Sequence, residues 1–512
     1  MTMTQTQTLS DGLLLNREAR TVDGARFFIG GEWQSSASGA TFDTVDPNTG
    51  KVIASVLRAD ARDVDRAVKA AANAAVDWQF TDAITRAALL RKLGALVAEN
   101  ADELAWLEAL DSGHYYAKAH ELVSALPLWL DYFAGLANIV GGRTIPVPGD
   151  KLSFTLLEPL GVTAHIIPWN YPLLIMVRSV APALAFGNTV VVKPAEQTPL
   201  SALYLARLTE EAGFPPGVVN VITGFGEEAG APLASHRDVA GITFTGSVET
   251  GKTVAKLGAD HVAQVNLELG GKSPVVVFPD AQIDDAVEAT VQGFCSHAGQ
   301  VCISGSRLFL HKDIRDEFLG KLTERLQSVR IGDSFDDQTQ FGPLMSEEQL
   351  KRVESYIEIG KSEATLYYGG GRPSGVHDDG YFIEPTVFVD VDPTARIANE
   401  EIFGPVLAII EWTDLNELMA QANDSEFGLY ASVWTRDIKN ALTTARRLQV
   451  GGVTINDWFG ELPMAPHGGH KQSGTGREEG LEAVHGYTQV KHVCINLADS
   501  LIASSDWAGA PL

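Results

Sequence analysis

Cys302 is a candidate nucleophile because the residues around it are small or polar. It closes the segment CSHAGQVC at residues 295–302, and Ser304 follows shortly after it. In such a setting a substrate and backbone N–H donors can both reach a thiolate. The alternative is an inert buried thiol, which is the usual state of a free cysteine. Cys295 and Cys494 keep that second interpretation.

Three further segments combine reactive side chains with the irregular backbone that active sites require. They are PWNYP at 168–172, ELGGK at 268–272 and NEEIFGPV at 399–406. Taken singly, none of them is decisive. Asn170 and Glu268 are the side chains in these segments with the most evident use in catalysis.

The elements that must position these residues follow from a regular alternation of apolar runs and amphipathic stretches between residues 161 and 271. Strands that alternate with helices of about 10–15 residues predict right-handed βαβ units and a parallel sheet. This pattern indicates a doubly wound nucleotide-binding architecture. Residues 61–138 predict a helical layer, and a second alternation after residue 271 predicts a second α/β lobe.

Two apolar segments have no neighbouring strand in the sequence. They are LSFTLLEPLG at 152–161 and YTQVKHVCINL at 487–497, and both have the composition of strands. A strand without a local neighbour must pair elsewhere, and pairing with another subunit is one way to protect it. We therefore predict that these strands take part in oligomerisation.

Composition and charge exclude several classes of function. The chain has 512 residues and a formal net charge of −26, which disfavours nucleic acid and anionic membranes as partners. Asp131 and Arg178 interrupt the longest apolar stretches, so no membrane span is expected. Three cysteines without CxxC spacing argue against a disulfide framework and a zinc site, so no metal is predicted. The N-terminal residues lack the features of a secretory signal, and a cytoplasmic location is expected.

The combination of motifs resembles the aldehyde dehydrogenase superfamily, in its NAD(P)-dependent, non-acylating form. The resemblance extends from FIGGEW at 28–33 to about Leu497. Six motifs occur in the expected order and at the expected separations: PWNYP, FTGSVETG, LELGGKSP, GQVC, EEIFGPV and GGHKQSGTGRE.

The resemblance implies an α/β fold with three parts. Residues 1–140 and 162–270 would form a doubly wound NAD-binding domain, and residues 271–482 an α/β catalytic domain. Residues 141–161 and 483–512 would form a small oligomerisation segment. A homodimer or homotetramer is the expected assembly, and a small-molecule aldehyde the expected partner.

The family reaction also gives each central residue a role. Cys302 would attack an aldehyde to form a thiohemiacetal, whose oxyanion Asn170 would stabilise together with the Cys302 backbone N–H. Loss of hydride to the nicotinamide leaves a thioester. Glu268 matches the general base that activates water to hydrolyse it to a carboxylic acid.

The cofactor site lacks the common GxGxxG fingerprint, and its residues are implied by the resemblance. Glu196 would accept a hydrogen bond from a free ribose 2′-hydroxyl and repel a 2′-phosphate, which favours NAD over NADP. A surface ion pair with Lys193 is the alternative for Glu196. The full predicted set is Ile167, Trp169, Lys193, Glu196, Gly226, Gly246, Ser247, Gly251, Glu401 and Phe403.

The substrate pocket departs from the common pattern. Arg178 and His467 stand where the family usually has aromatic residues, and Tyr171 and Phe459 could form an aromatic wall. This resembles both the benzaldehyde-type and the semialdehyde dehydrogenases, so an aromatic aldehyde or a carboxylated semialdehyde is predicted. Arg178 would either meet a substrate carboxylate or pair with an acidic neighbour inside the protein.

Two other functions remain as alternatives. A CoA-acylating dehydrogenase would transfer the acyl group to a thiol and would not need Glu268. A catalytically silent binding protein on the same fold would not need the intact set of Cys302, Glu268 and Asn170.

Overall fold

Two large sheets, each built mainly of parallel strands, organise residues 13–458 and 462–498, the part of the chain that the computed structural model describes. A smaller antiparallel sheet and three two-stranded ribbons complete the strands of these residues. This arrangement confirms the predicted α/β class, with a doubly wound lobe and a second α/β lobe.

The first sheet has eight strands, and its five central strands are parallel. In spatial order the strands are Gly474–Thr475, Gln264–Leu269, Val239–Gly246, Val162–Ile166, Thr189–Lys193, Val219–Val221, Phe27–Ile29 and Glu32–Gln34. The chain order reverses between Val162–Ile166 and Val239–Gly246, which lie side by side. Such a switch point opens a crevice at the carboxyl ends of the strands, where ligands bind in open α/β sheets.

Helices cover the faces of this sheet, as its fully buried strands require. The predicted helical layer is Ala61–Trp78, Ala83–Glu99, Ala101–Ser112 and Tyr116–Leu136. The crossover helices are Pro172–Ala185, Leu200–Ala212, Ala231–Ala234 and Val248–Ala259, and a short π-helix spans Gly226–Gly230. Helix Leu200–Ala212 ends at Gly213, which adopts a left-handed conformation with φ of 92°.

The second sheet has seven strands, parallel except for one edge strand. Its spatial order is Thr365–Tyr368, Thr386–Val389, Val406–Trp412, Arg307–His311, Pro274–Val277, Tyr430–Trp434 and Gly452–Ile455. Its helices are Ile283–Cys295, Arg315–Gln327, Glu347–Glu363, Arg396–Asn399, Leu415–Asn423 and Ile438–Arg447. Short 3-10 turns span Ser296–Gly299 and Lys312–Ile314.

The two apolar segments that lacked a neighbour in the sequence pair with each other. Lys151–Pro159 and Thr488–Asn496 form nine antiparallel residue pairs, and Thr144–Ile145 adds a third strand. Each segment therefore pairs away from its neighbours in the sequence, and its partner is the other segment of the same chain. Their partner was hidden because more than 300 residues separate them, as the hydrogen bond between Ser153 and His492, 339 positions apart, illustrates.

The remaining elements are short. The ribbons pair Leu14–Asn16 with Thr21–Asp23, Thr41–Asp46 with Lys51–Leu57, and Phe427–Gly428 with His470–Lys471. A 3-10 turn at Leu481–Ala483 and a helical turn at Val484–Tyr487 precede the last strand. Within residues 13–458 and 462–498, no helix has both the length and the apolar character that a membrane crossing requires.

Candidate active site

A cavity of about 320 Å³ lies at the carboxyl ends of the central strands of the first sheet. Asn170 follows strand Val162–Ile166, and Glu268 lies near the end of strand Gln264–Leu269. Cys302 reaches the same cavity from the loop before strand Arg307–His311 of the second sheet. The three residues predicted to carry the chemistry are thus brought to one cavity from three distant parts of the sequence.

Asn170 is buried, and hydrogen bonds hold both its side chain and its backbone. Its side-chain Nδ2 donates to the backbone carbonyl of Gln300 at 2.9 Å, and its backbone carbonyl oxygen lies 2.8 Å from Nε2 of His114. The first bond connects the amide directly to the loop that carries Cys302. The side chain is therefore held beside that loop, and it lines the same cavity as Cys302.

The loop of Cys302 is shaped by an unusual turn. Helix Ile283–Cys295 ends, and His297, Ala298 and Gly299 then all adopt positive φ values of 46°, 51° and 73°. This turn brings the half-buried Cys302 beneath the loop after strand Gln264–Leu269. A Cβ at Gly271 would lie 2.6 Å from the Cys302 carbonyl oxygen, so only glycine permits this approach.

Glu268 is buried, with 3% of its side chain exposed. Burial raises the pKa of this carboxyl well above its usual value, the nearby charge of Glu478 raises it further, and Arg178 opposes the shift. Nε2 of His467 lies 3.8 Å from Glu268 Oε2. The predicted substrate residue His467 thus lies beside the candidate base.

Arg178 is not among the residues that line the cavity, and it has an acidic partner inside the protein. Its Nε is 2.5 Å from Glu478 Oε2, and both side chains are buried. Of the two alternatives for Arg178, this ion pair supports the internal acidic partner. The physical reason is that a buried guanidinium requires a counter-charge, which the chain itself supplies.

Tyr171 packs with Cys302 against a small apolar cluster of Val301, Ile303 and Leu429. Tyr171 and the candidate nucleophile therefore share one apolar cluster, and the role of Tyr171 in substrate binding stays a prediction. Phe459, the other predicted aromatic wall residue, lies outside the described residues.

Several predicted cofactor residues line the cavity. Among them are Trp169, Gly246, Ser247, Glu401 and Phe403. The ring of Phe403 meets that of Trp169 edge-on with centroids 5.3 Å apart, and Glu401 Oε1 accepts a hydrogen bond from the Gly271 N–H. Burial raises the pKa of Glu401 to about 7.

The other predicted cofactor residues lie outside the cavity lining. Lys193 Nζ forms an ion pair with Glu196 Oε2 at 3.2 Å, and Ile167 is buried. Gly226 begins the π-helix. Gly251 packs against Leu269, because its added Cβ would meet that side chain at 2.5 Å, so its role is to let helix and strand approach.

The geometry fits a dinucleotide. Gly246 and Ser247 lead directly into helix Val248–Ala259, so the positive end of that helix faces the cavity where a pyrophosphate would lie. Small residues at this turn leave room for the phosphates. The Lys193–Glu196 pair lies at the end of strand Thr189–Lys193, two strands away in the same parallel sheet.

Sequence reasoning missed three residues that hold this site. The backbone carbonyl of Gln300 accepts a hydrogen bond from the Asn170 side-chain amide. Gln300 lies within the CSHAGQVC segment, where its closeness to Cys302 in the sequence could have indicated this role. Arg352 Nη2 donates to the Glu401 carbonyl at 2.6 Å, and Gln349 Nε2 donates to the Phe403 carbonyl at 2.6 Å. No sequence signal connects helix Glu347–Glu363, which carries Gln349 and Arg352, with the loop of Glu401 and Phe403.

A doubly wound lobe and a cysteine loop that meet at one cavity define an oxidoreductase of the aldehyde dehydrogenase class. Residues 33–493 match the aldehyde dehydrogenase family, and the chain belongs to that family. It is an NAD(P)-dependent aldehyde oxidoreductase.

Individual relatives are similar over nearly the whole chain. A hydroxyisobutyraldehyde dehydrogenase of Mycolicibacterium austroafricanum is 68% identical, over 99% of this chain and 100% of its own. An aldehyde dehydrogenase of Bacillus cereus, solved as its NAD+ complex, has a TM-score of 0.91 and 42% identity, over 95% of this chain and 100% of its own. Betaine aldehyde dehydrogenase of Staphylococcus aureus, also solved with NAD+, has a TM-score of 0.91 and 40% identity, over 94% and 96%.

Proposed function

We propose that this enzyme oxidises a small hydroxylated aldehyde to its carboxylic acid with NAD, through a covalent intermediate on Cys302. The observation that carries the proposal is the convergence of Cys302, Asn170 and Glu268 on one cavity. No pair of these residues is close in the sequence, so their meeting is a product of the fold.

Cys302 supplies the nucleophile. Its thiolate adds to the aldehyde carbon, and the bond formed makes that carbon tetrahedral and able to release a hydride. Asn170 stabilises the oxyanion of this adduct, since the hydrogen bond to Gln300 already holds its amide beside the cysteine loop. NAD, when bound, supplies the hydride acceptor.

Glu268 completes the reaction by taking a proton from the water that hydrolyses the thioester. Its raised pKa supports this role, because a carboxylate that holds a proton more tightly is a stronger base. A CoA-acylating enzyme would have no use for such a base, so the proposal favours water as the acyl acceptor.

The substrate class rests on the 68% identical relative and on polar groups near Cys302. The hydroxyl of Tyr171 lies 3.4 Å from Oγ of the half-buried Ser296, and Tyr171 packs against the same apolar cluster as Cys302. A pair of hydroxyl groups can bind the hydroxyl of a hydroxyaldehyde, and a site built for this contact discriminates against aldehydes that lack it. The internal pairing of Arg178 removes the cation that would have favoured a carboxylated semialdehyde.

The test is NADH formation with hydroxyisobutyraldehyde, benzaldehyde and succinate semialdehyde, each with and without CoA. We expect kcat/KM to be highest for hydroxyisobutyraldehyde by about tenfold or more, equivalent to ~1.4 kcal/mol. A higher value for either other aldehyde would overturn the substrate class. A requirement for CoA would overturn hydrolysis as the second step.

Cys302→Ala tests the chemistry itself. We expect turnover to fall by at least about a thousandfold while NAD binding is retained, because the thiol acts only in the covalent step. Cys295→Ala is the matched control, since Cys295 is buried and burial raises its pKa far above that of a reactive thiol. Comparable activity in the two variants would exclude Cys302 as the nucleophile.

A further inference from the structure

Two buried histidines next to Asn170 form a stacked pair, and one of them, His114, contacts the Asn170 backbone. The rings of His114 and His297 are stacked with centroids 3.6 Å apart and an angle of 9° between their planes. His114 is 1% exposed and His297 is 4% exposed. The ring of Tyr171 lies against both, with centroid distances of 4.8 Å to His114 and 5.7 Å to His297. The reaction described above uses neither histidine.

Contacts from this pair form a closed loop of interactions that includes Asn170, the residue assigned as hydrogen-bond donor to the oxyanion. Nε2 of His114 lies 2.8 Å from the Asn170 carbonyl, and Nδ2 of Asn170 donates to the Gln300 carbonyl at 2.9 Å. Nε2 of Gln300 donates in turn to the backbone carbonyl of His297 at 2.9 Å. The ring of His297 stacks on that of His114, which closes the loop of interactions. Each of these four residues therefore restrains the next.

The two histidines belong to different parts of the fold. His114 follows helix Ala101–Ser112, whereas His297 belongs to the turn that leads to Cys302. His297 has a φ of 46°, a conformation that is costly for a residue with a Cβ and that its surroundings must enforce. Among the described residues no hydrogen bond reaches either nitrogen of the His297 ring, so ring contacts with His114 and Tyr171 hold it.

The chemistry of the pair requires neutral rings. A ring nitrogen that faces a carbonyl oxygen must carry a proton, so Nε2 of His114 is the donor and Nδ1 is bare. Burial lowers the pKa of His114 to about 4, and burial also lowers the pKa of His297 well below its usual value. The stack is therefore uncharged at neutral pH and gives a fixed hydrogen-bond donor.

We propose that His114 is a positioning residue, which together with the stacked ring of His297 holds Asn170 at the geometry needed for the oxyanion on Cys302. The inference rests on the proposed function, because it assigns Asn170 as the oxyanion donor. His114 itself does not contact the reacting atoms. It acts through its hydrogen bond to the Asn170 backbone, and the histidine stack connects that backbone to the loop that carries Cys302.

The test separates the hydrogen bond from the ring. His114→Phe keeps an aromatic ring and removes the donor, whereas His114→Gln keeps an N–H near the position of Nε2. The readout is the single-turnover rate constant of NADH formation with hydroxyisobutyraldehyde, together with the Kd for NAD and Tm. We expect His114→Phe to slow NADH formation by about tenfold or more, below the 10²–10³-fold loss typical for deleting an oxyanion donor. We expect His114→Gln to restore most of the rate, and the Kd for NAD to stay unchanged.

A double-mutant cycle with Asn170→Ala decides whether His114 acts through Asn170. In the Asn170→Ala background, His114→Phe should cause little further loss, because the group that it positions is gone. An equal loss in both backgrounds, or an unchanged rate for His114→Phe, would overturn the proposal. If His114→Phe does not fold, His297→Asn replaces it in the same cycle, since Asn tolerates the left-handed backbone at that position.

His261 offers a matched control, because its Nε2 also lies 3.1 Å from a backbone carbonyl, that of Val239, outside the cavity lining. His261→Phe should lower Tm without slowing single-turnover NADH formation. Failure of the proposed function would be distinct from failure of this inference. In the first case the wild-type protein forms no NADH from any aldehyde of the panel, and in the second it does so and His114→Phe matches it.

Discussion

Arg178 and Glu478 form a buried ion pair, with Nε of the guanidinium 2.5 Å from Oε2 of the carboxylate. The exposed fractions of the two side chains are 2% and 0%. The pair connects helix Pro172–Ala185, which follows Asn170, with a segment 300 residues later in the chain. The charges of both groups also influence the pKa of Glu268, which makes the pair part of the electrostatic surroundings of the base.

Replacing Arg178 with leucine should destabilise the protein and affect all substrates alike. The change leaves the Glu478 carboxylate buried without its guanidinium, and breaking a buried pair in this way costs about 3–5 kcal/mol. Thermal unfolding measures the effect as a lower Tm. The Arg178→Leu/Glu478→Leu double variant should regain most of the loss, because no buried charge remains. A rise in KM confined to succinate semialdehyde, with unchanged Tm, would instead return Arg178 to the substrate site.

Glu268→Gln should stall the enzyme after the first half-reaction. The glutamine cannot accept a proton from water, so the thioester accumulates while the steps that form it continue. We expect a pre-steady-state burst of NADH followed by turnover about 10²–10⁴-fold slower than in the wild type. Stopped-flow absorbance measures both phases. Unchanged turnover would place the base at another residue.

The raised pKa of Glu268 also predicts a pH dependence of stability. Because the folded pKa lies above the unfolded one, the fold favours the protonated carboxyl. This contribution to stability is complete below the unfolded pKa of about 4.3 and is lost as the pH rises through the folded pKa. Glutamine does not ionise, so the Tm of Glu268→Gln relative to wild type should increase as the pH rises above the unfolded pKa of about 4.3. A difference in Tm that is constant with pH would contradict this.

Glu196→Ser should weaken the preference for NAD over NADP. A carboxylate near the ribose repels a 2′-phosphate, whereas serine is neutral and can donate a hydrogen bond to it. Removing the carboxylate also frees Lys193 Nζ, now 3.2 Å from Glu196, to approach the phosphate. We expect the ratio of kcat/KM values for NAD and NADP to fall by about tenfold or more. Glu227→Ser, at an exposed acidic position of the π-helix, is the control and should leave the ratio unchanged.

We propose that the enzyme forms a homo-oligomer through the sheet of Lys151–Pro159 and Thr488–Asn496. This sheet exposes apolar side chains that a monomer would leave in water, including Leu152 at 41%, Leu156 at 42% and Val490 at 66%. Light scattering at micromolar concentration should give a mass of at least two chains.

Val490→Asp should reduce that mass, because a charge in the interface would have to be desolvated. Ile438→Asp is the control, since Ile438 is 70% exposed on a helix of the second lobe. A monomeric wild-type mass would refute the assignment, and an equal effect of both variants would remove this sheet from the interface.

The sequence by itself determined the local elements and the chemical inventory. Alternating apolar runs predicted the strands and helices around Asn170 and Glu268, because burial on both faces demands near-continuous apolar strands. Small residues around Cys302 indicated an accessible thiol, and the ordered motifs indicated the family. These features depend on residues close together in the chain, so they are visible without the fold.

Only the tertiary structure decided which distant residues meet. The partner of Arg178 lies 300 positions away, and strand Lys151–Pro159 finds its neighbour near the end of the described chain. The stack of His114 on His297 joins segments that share no pattern. Pairing across such distances is fixed by the packing of whole lobes and by the need to satisfy buried charges, and no local periodicity records it.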